Sequence, residues 1–80
     1  MDLWHNFRRI AVQLKPVKSS VLAFVGYDHE KQELQVVFKK GSVYLFREVP
    51  RSVYQDLMAA ESIGAFFLKN VKGRFEWTKL

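Results

Sequence analysis

The chain has no cysteine in 80 residues. That absence excludes a disulfide-stapled secreted mini-protein and fits a reducing cytoplasm. His5 and His29 are the two histidines, and without cysteine they leave no zinc-ligand spacing. No carboxylate-rich magnesium cluster is visible either, so no metal or cofactor is expected. No apolar run approaches the ~20 residues that cross a bilayer, and the N-terminus shows no signal-peptide pattern, so no membrane association is expected. Walker and G-x-G-x-x-G loops are missing, which removes motif support for cradling a nucleotide phosphate. Ser19, Ser20, Asp28 and His29 fall within eleven residues. No glycine elbow surrounds the serines, and Asp28-His29 sits in a predicted turn. Ser19-Ser20 is read as satisfying backbone groups at a strand start, and an enzyme is not expected.

What is present is a small, aromatic, basic domain. A chain of this size buries only about 60–65% of its unfolded surface, so its stability margin is thin. Seven Phe, three Tyr and two Trp supply burial that disulfides do not. Formal net charge is +5. Residues 1–18 carry four positive side chains against one negative. Residues 19–48 balance four against four. Residues 49–80 carry five against three. A domain with basic ends and a neutral middle fits a polyanion ligand, or a soluble protein that is merely basic.

The apolar pattern predicts an N-terminal helix over residues 2–14, from Leu3, Phe7, Ile10, Ala11 and Leu14 on one face. Pro16 ends it. Residues 17–27 read as a first strand whose broken alternation fits either a bulge, with Gly26 the favoured site of irregularity, or a strand covered on both faces. In 33–39, Leu34, Val36 and Phe38 share one face. Lys40-Gly41 predicts a two-residue hairpin turn, and residues 42–48 a third strand. Pro50 suits a helix start, with a Ser52–Gln55 capping box as the alternative. Ser62 predicts the cap of a second helix, and Gly73 its C-cap. Residues 74–80, with Phe75 and Trp77 two apart, read as a short extended tail, either packed against the domain or partly mobile.

The chemistry left over is aromatic and cationic. Lys39-Lys40 sits at the predicted hairpin tip, ahead of Tyr44 and Arg47. Lys69, Lys72 and Arg74 lie in or after the last helix. If the fold brings these groups to one side, bases can stack on rings while cations meet phosphates. The competing reading places Tyr44 and Phe46 in the core.

The ordered set Ser19-Ser20, Gly26-Tyr27-Asp28, Leu34, Phe38, Gly41, Val43-Tyr44, Val49-Pro50, Val53-Tyr54, Ala60, Ser62, Gly64, Phe67 and Val71-Lys72 resembles the KTSC domain. That module takes its name from the C-terminus of some lysyl-tRNA synthetases and also stands alone in small bacterial and phage proteins. The resemblance covers about residues 17–72. It implies RNA as a ligand class, by association with a tRNA enzyme. The family's Tyr-x-Tyr mark is Tyr44-Leu45-Phe46 here, which lacks the second hydroxyl.

Together these readings predict an α+β protein: an N-terminal helical extension at 1–16, then a domain at 17–80 with a three-stranded antiparallel β-meander and two C-terminal helices packed on the sheet. The expected function is a cytoplasmic, non-enzymatic module that binds RNA or single-stranded DNA through Lys39, Lys40, Tyr44, Arg47, Lys69, Lys72 and Arg74. The alternative is a protein-interaction or homodimerisation module.

Overall fold

The computed structural model describes residues 13–80. Five strands and two helices follow in chain order: β1 (Lys15–Pro16), β2 (Leu22–Asp28), β3 (Glu33–Phe38), β4 (Val43–Phe46), α1 (Arg51–Ala59), α2 (Ile63–Asn70) and β5 (Trp77–Lys79). The strands form one antiparallel sheet in the order β1-β2-β3-β4-β5.

This corrects the predicted layout. The fold is α+β, but the sheet has five strands, and one of them follows the helices. The predicted helix over 2–14 lies outside the described residues except at Gln13 and Leu14, which are not helical. Lys15–Pro16 is an edge strand paired with Val25 and Phe24. Proline is tolerated there because an edge strand leaves one side of its backbone unpaired. The tail adds β5 to the far edge, with Tyr44 opposite Lys79 and Phe46 opposite Trp77. Phe75 and Trp77 alternate because they belong to an extended segment feeding a sheet.

The bulge is real but displaced from Gly26: the register of β2 against β3 shifts between Leu22 and Phe24. The extra residue turns Leu22 and Val25, three apart, toward the same face, where both are fully buried, while Phe24 is 40% exposed on the other. The hairpin between β3 and β4 has three loop residues rather than two. Phe38 and Ser42 close it, the Gly41 N–H donates to the Phe38 carbonyl at 2.8 Å, and Gly41 takes φ +103°. That places a glycine at the positive-φ position of a three-residue loop. At the β2–β3 turn, Asp28 Oδ1 accepts from the Glu30 and Lys31 N–H groups at 3.0 and 3.1 Å.

Pro50 occupies the N-cap of α1, one place before the predicted first turn, and gives no side-chain cap. Ala60 breaks the helix with an extended backbone. Ser62 then caps α2, its Oγ accepting from the Ala65 N–H at 3.2 Å. The α2 C-cap is Val71; Gly73, at φ +80°, belongs to the turn beyond.

Both helices cover the same sheet face. Leu22, Val25, Leu34, Val36 and Phe46 meet Leu57 of α1 and Phe67 of α2 in a buried core with Tyr27, Val49 and Val71. The Phe67 ring packs edge-on against Phe46 and Phe38, with centroids 5.6 and 5.5 Å apart. Tyr27 stacks on Tyr54 of α1 at 4.8 Å, and its hydroxyl donates to the Val49 carbonyl just ahead of that helix. Burial pushes the Tyr27 phenol pKa up, against a lowering influence from Arg51.

Candidate nucleic-acid interface

The helices leave the β4–β5 edge of the inner face uncovered near the hairpin tip. Tyr44, Phe46 and Trp77 point to this face, as the cross-strand register requires. Phe46 lies inward and is buried. Tyr44 is half-buried between Phe38 at 5.4 Å and Trp77 at 5.1 Å, both edge-on. Trp77 remains 53% exposed and Leu68 of α2 48%. Phe38, Tyr44, Leu68 and Trp77 line a groove of about 510 Å³, with Lys39, Lys40 and Lys72 in its wall. No carboxylate lines it. A second concavity, of about 670 Å³, opens beside the first and holds Arg47 and Arg74 with Glu76. Trp77 belongs to both.

Six of the seven side chains singled out from the sequence therefore line two adjoining depressions. The antiparallel pairing explains it. The β3–β4 loop brings Lys39 and Lys40 to one end of the groove, and the turn after α2 brings Lys72 to its side. The Arg47 N–H donates to the Glu76 carbonyl at 2.9 Å, which ties the end of β4 to the segment carrying Arg74. Lys69 is exposed on α2 and lines neither depression.

Trp77 was missed, although it is the most exposed large aromatic at the site. Its alternation with Phe75 signalled only an extended segment; pairing with the β4 edge is what makes that segment a strand. Phe38, on the same strand face as Leu34 and Val36, is half-buried: it packs against the core through Phe67 and also stands at the groove wall. The missing second hydroxyl of the Tyr-x-Tyr mark falls at Phe46, a core ring 2% exposed, so the groove loses no polar group by it.

The serine, aspartate and histidine set has structural occupations. Ser19 Oγ accepts from the Val21 and Leu22 N–H groups at 3.0 and 3.1 Å, at the start of β2. Asp28 and His29 lie at the opposite end of that strand. Among the described residues no cluster of three His, Cys, Asp or Glu side chains is placed to hold a metal ion, and no helix is long and apolar enough to cross a membrane.

Fold and groove together define a small single-sheet module with one open aromatic and basic edge. The chain belongs to the KTSC domain family, whose profile matches residues 18–75. It is 47% identical over 62 residues to a protein of Tsukamurella paurometabola, covering 78% of this chain and 92% of that one. It is also 39% identical over 71 residues to a lysine–tRNA ligase of Nostoc punctiforme, covering 89% of this chain but only 13% of the ligase. Among solved structures, a KTSC domain protein from Yersinia pestis superposes with a TM-score of 0.82 at 37% identity, over 88% of this chain and 99% of that one.

Proposed function

We propose that this protein is a non-enzymatic module that binds RNA or single-stranded DNA along the groove between the hairpin tip and β5. The observation carrying this reading is the composition of that groove: Tyr44 and Trp77 beside Lys39, Lys40 and Lys72, with no carboxylate in the wall. Rings with accessible faces stack unpaired bases, and lysines at their margins meet the phosphates. Arg47 and Arg74 extend the cationic track past Trp77. The match to one segment of a lysine–tRNA ligase, an enzyme whose substrate is RNA, favours RNA as the first ligand to test. The absence of cysteine fits a reducing cytoplasm, where such a ligand is met.

The test is a fluorescence-anisotropy titration against unstructured RNA and DNA oligonucleotides at two salt concentrations. Three phosphate contacts predict a log–log salt slope of about −2, hence roughly a 20-fold loss of affinity between about 50 and 200 mM salt. Charge reversal at Lys39 and Lys40 is expected to weaken RNA and DNA alike, since contacts to phosphates read no sequence. Absence of measurable binding to any single strand at about 50 mM salt, where screening is weak, refutes the reading.

A further inference from the structure

β5 carries a second side chain on the groove side of the sheet besides Trp77. Residues two apart on a strand share a face, so Lys79 stands with Trp77 and Thr78 faces the other way. The register agrees: Lys79 lies opposite Tyr44, as Trp77 lies opposite Phe46. The backbone around Lys79 is held at both ends. The Arg47 N–H donates to the Glu76 carbonyl at 2.9 Å, and the Leu80 N–H donates to the Val43 carbonyl at 2.8 Å. A surface lysine is ordinarily a solvated charge on a mobile stem; this one leaves a paired strand beside two aromatic side chains. It is exposed and stands outside the groove lining, at the end of β5 nearest the hairpin tip. Its same-face neighbours in the register, Trp77 and Tyr44, are not acidic.

Resting on the nucleic-acid reading of the groove, we infer that Lys79 is a further binding residue, which meets the phosphate of the same nucleotide whose base stacks on Trp77. Spacing carries the pairing. Positions 77 and 79 are about 7 Å apart along the strand. A base and its own phosphate are joined through a single sugar, so a ring and a cation at that separation on one face hold the two ends of one nucleotide. Trp77 is 53% exposed, which leaves ring surface for a base. Tyr44, edge-on to both Phe38 and Trp77, has less to offer. Lys39, Lys40 and Lys72, in the groove wall, then meet the neighbouring phosphates. The paired contact sets register: long-range charge brings a strand to this edge, and the Trp77–Lys79 pair fixes which nucleotide is seated there. It also selects the ligand class. A duplex keeps its bases inside the stack, so it offers Lys79 a phosphate but gives Trp77 no base. A single strand satisfies both.

The test is the salt dependence of binding to a labelled, unstructured RNA oligonucleotide, read by anisotropy. Four phosphate contacts in place of three steepen the log–log slope from about −2 to about −2.8. Lys79→Gln is expected to return it to about −2. The same constant gives a loss of affinity of about eightfold at about 50 mM salt, falling to about threefold at about 200 mM. Lys79→Arg keeps the charge and is expected to keep the slope. Lys31→Gln removes an equal charge in the turn between β2 and β3, at the opposite end of β3 from the hairpin tip, and is expected to change affinity by less than about twofold with the slope unaltered. Trp77→Ala tests the pairing. With no base seated, the Lys79→Gln loss at about 50 mM is expected to shrink to less than about threefold. Two results overturn the inference and leave the groove reading standing. One is a Lys79→Gln variant that matches Lys31→Gln in affinity and slope while the unaltered protein binds. The other is a full eightfold loss that persists beside Trp77→Ala, which makes Lys79 a phosphate contact independent of the stacked base. Absence of binding by the unaltered protein overturns the groove reading, and this inference with it.

Discussion

Replacing Gly64 by alanine tests how the segment leading into β2 and the second helix are locked together. Gly64 is the second residue of α2 and is buried. A Cβ there would lie 3.0 Å from Ser19 Oγ and 3.6 Å from Val21 Cγ2. The serine cannot simply turn away, because its Oγ holds the N–H groups of Val21 and Leu22. Two effects compete. Alanine for glycine favours a helix by at most about 1 kcal/mol. Forcing a methyl into a filled site costs about 1–3 kcal/mol, and disturbing two hydrogen bonds costs about 0.5–1.5 kcal/mol each. The crowding wins, and a net loss of about 2 kcal/mol is expected. In a domain of this size that lowers the melting temperature by roughly 10 °C. Ser19→Ala alone is expected to cost about 1–2 kcal/mol, through the same two donors. The double variant decides the matter. Ser19→Ala removes the oxygen that the new methyl meets, so the pair should cost less than the sum of the singles by about 1 kcal/mol. Urea denaturation of the four proteins supplies the cycle. A neutral or stabilising Gly64→Ala, or strict additivity, refutes the proposed lock.

Three further expectations follow from the core and the groove. Tyr27→Phe keeps the stack on Tyr54 but loses the bond to Val49, at a cost of about 1 kcal/mol in urea denaturation. Because the folded state raises the Tyr27 pKa above 10.0, its contribution is complete below that pH and fades as pH climbs toward the folded value; Tyr27→Phe should flatten that alkaline loss, and an unchanged alkaline slope would refute it. Leu57→Ala, in the core, is expected to cost about 2–5 kcal/mol, and a loss under about 0.5 kcal/mol, a surface-like value, would mean the packing face is wrong. Trp77→Ala is expected to leave the fold nearly as stable while weakening a bound single strand by about 1–3 kcal/mol, one base stack; the reverse pattern would make Trp77 a structural residue.

Much of the local structure was legible because local forces set it. The alternation of Leu34, Val36 and Phe38 defines a strand with one buried face. Ser62 ends one helical path and starts another because its hydroxyl competes for backbone donors. Gly41 marks a tight loop by its positive φ. The length of that loop was misjudged, since two- and three-residue hairpins both place a glycine there and differ only in how the flanking strands close. The broken parity of Val21, Leu22, Phe24 and Val25 was legible, but it fitted a strand covered on both faces as well as the bulge that the pairing with β3 shows. The position of the bulge depended on which residues the helices would bury.

By itself, then, the sequence determined an α+β chain of strands and helices with a basic, aromatic surplus and a family likeness. Tertiary structure alone decided that Lys15–Pro16 and Trp77–Lys79 are strands, because segments of two and three residues carry too little periodicity and become strands only by pairing with an existing edge. It also decided the candidate site. Lys40 and Trp77 are 37 positions apart, and nothing local relates them. They line one groove because β5 returns past two helices to pair with β4, and a sheet edge accepts whichever strand reaches it.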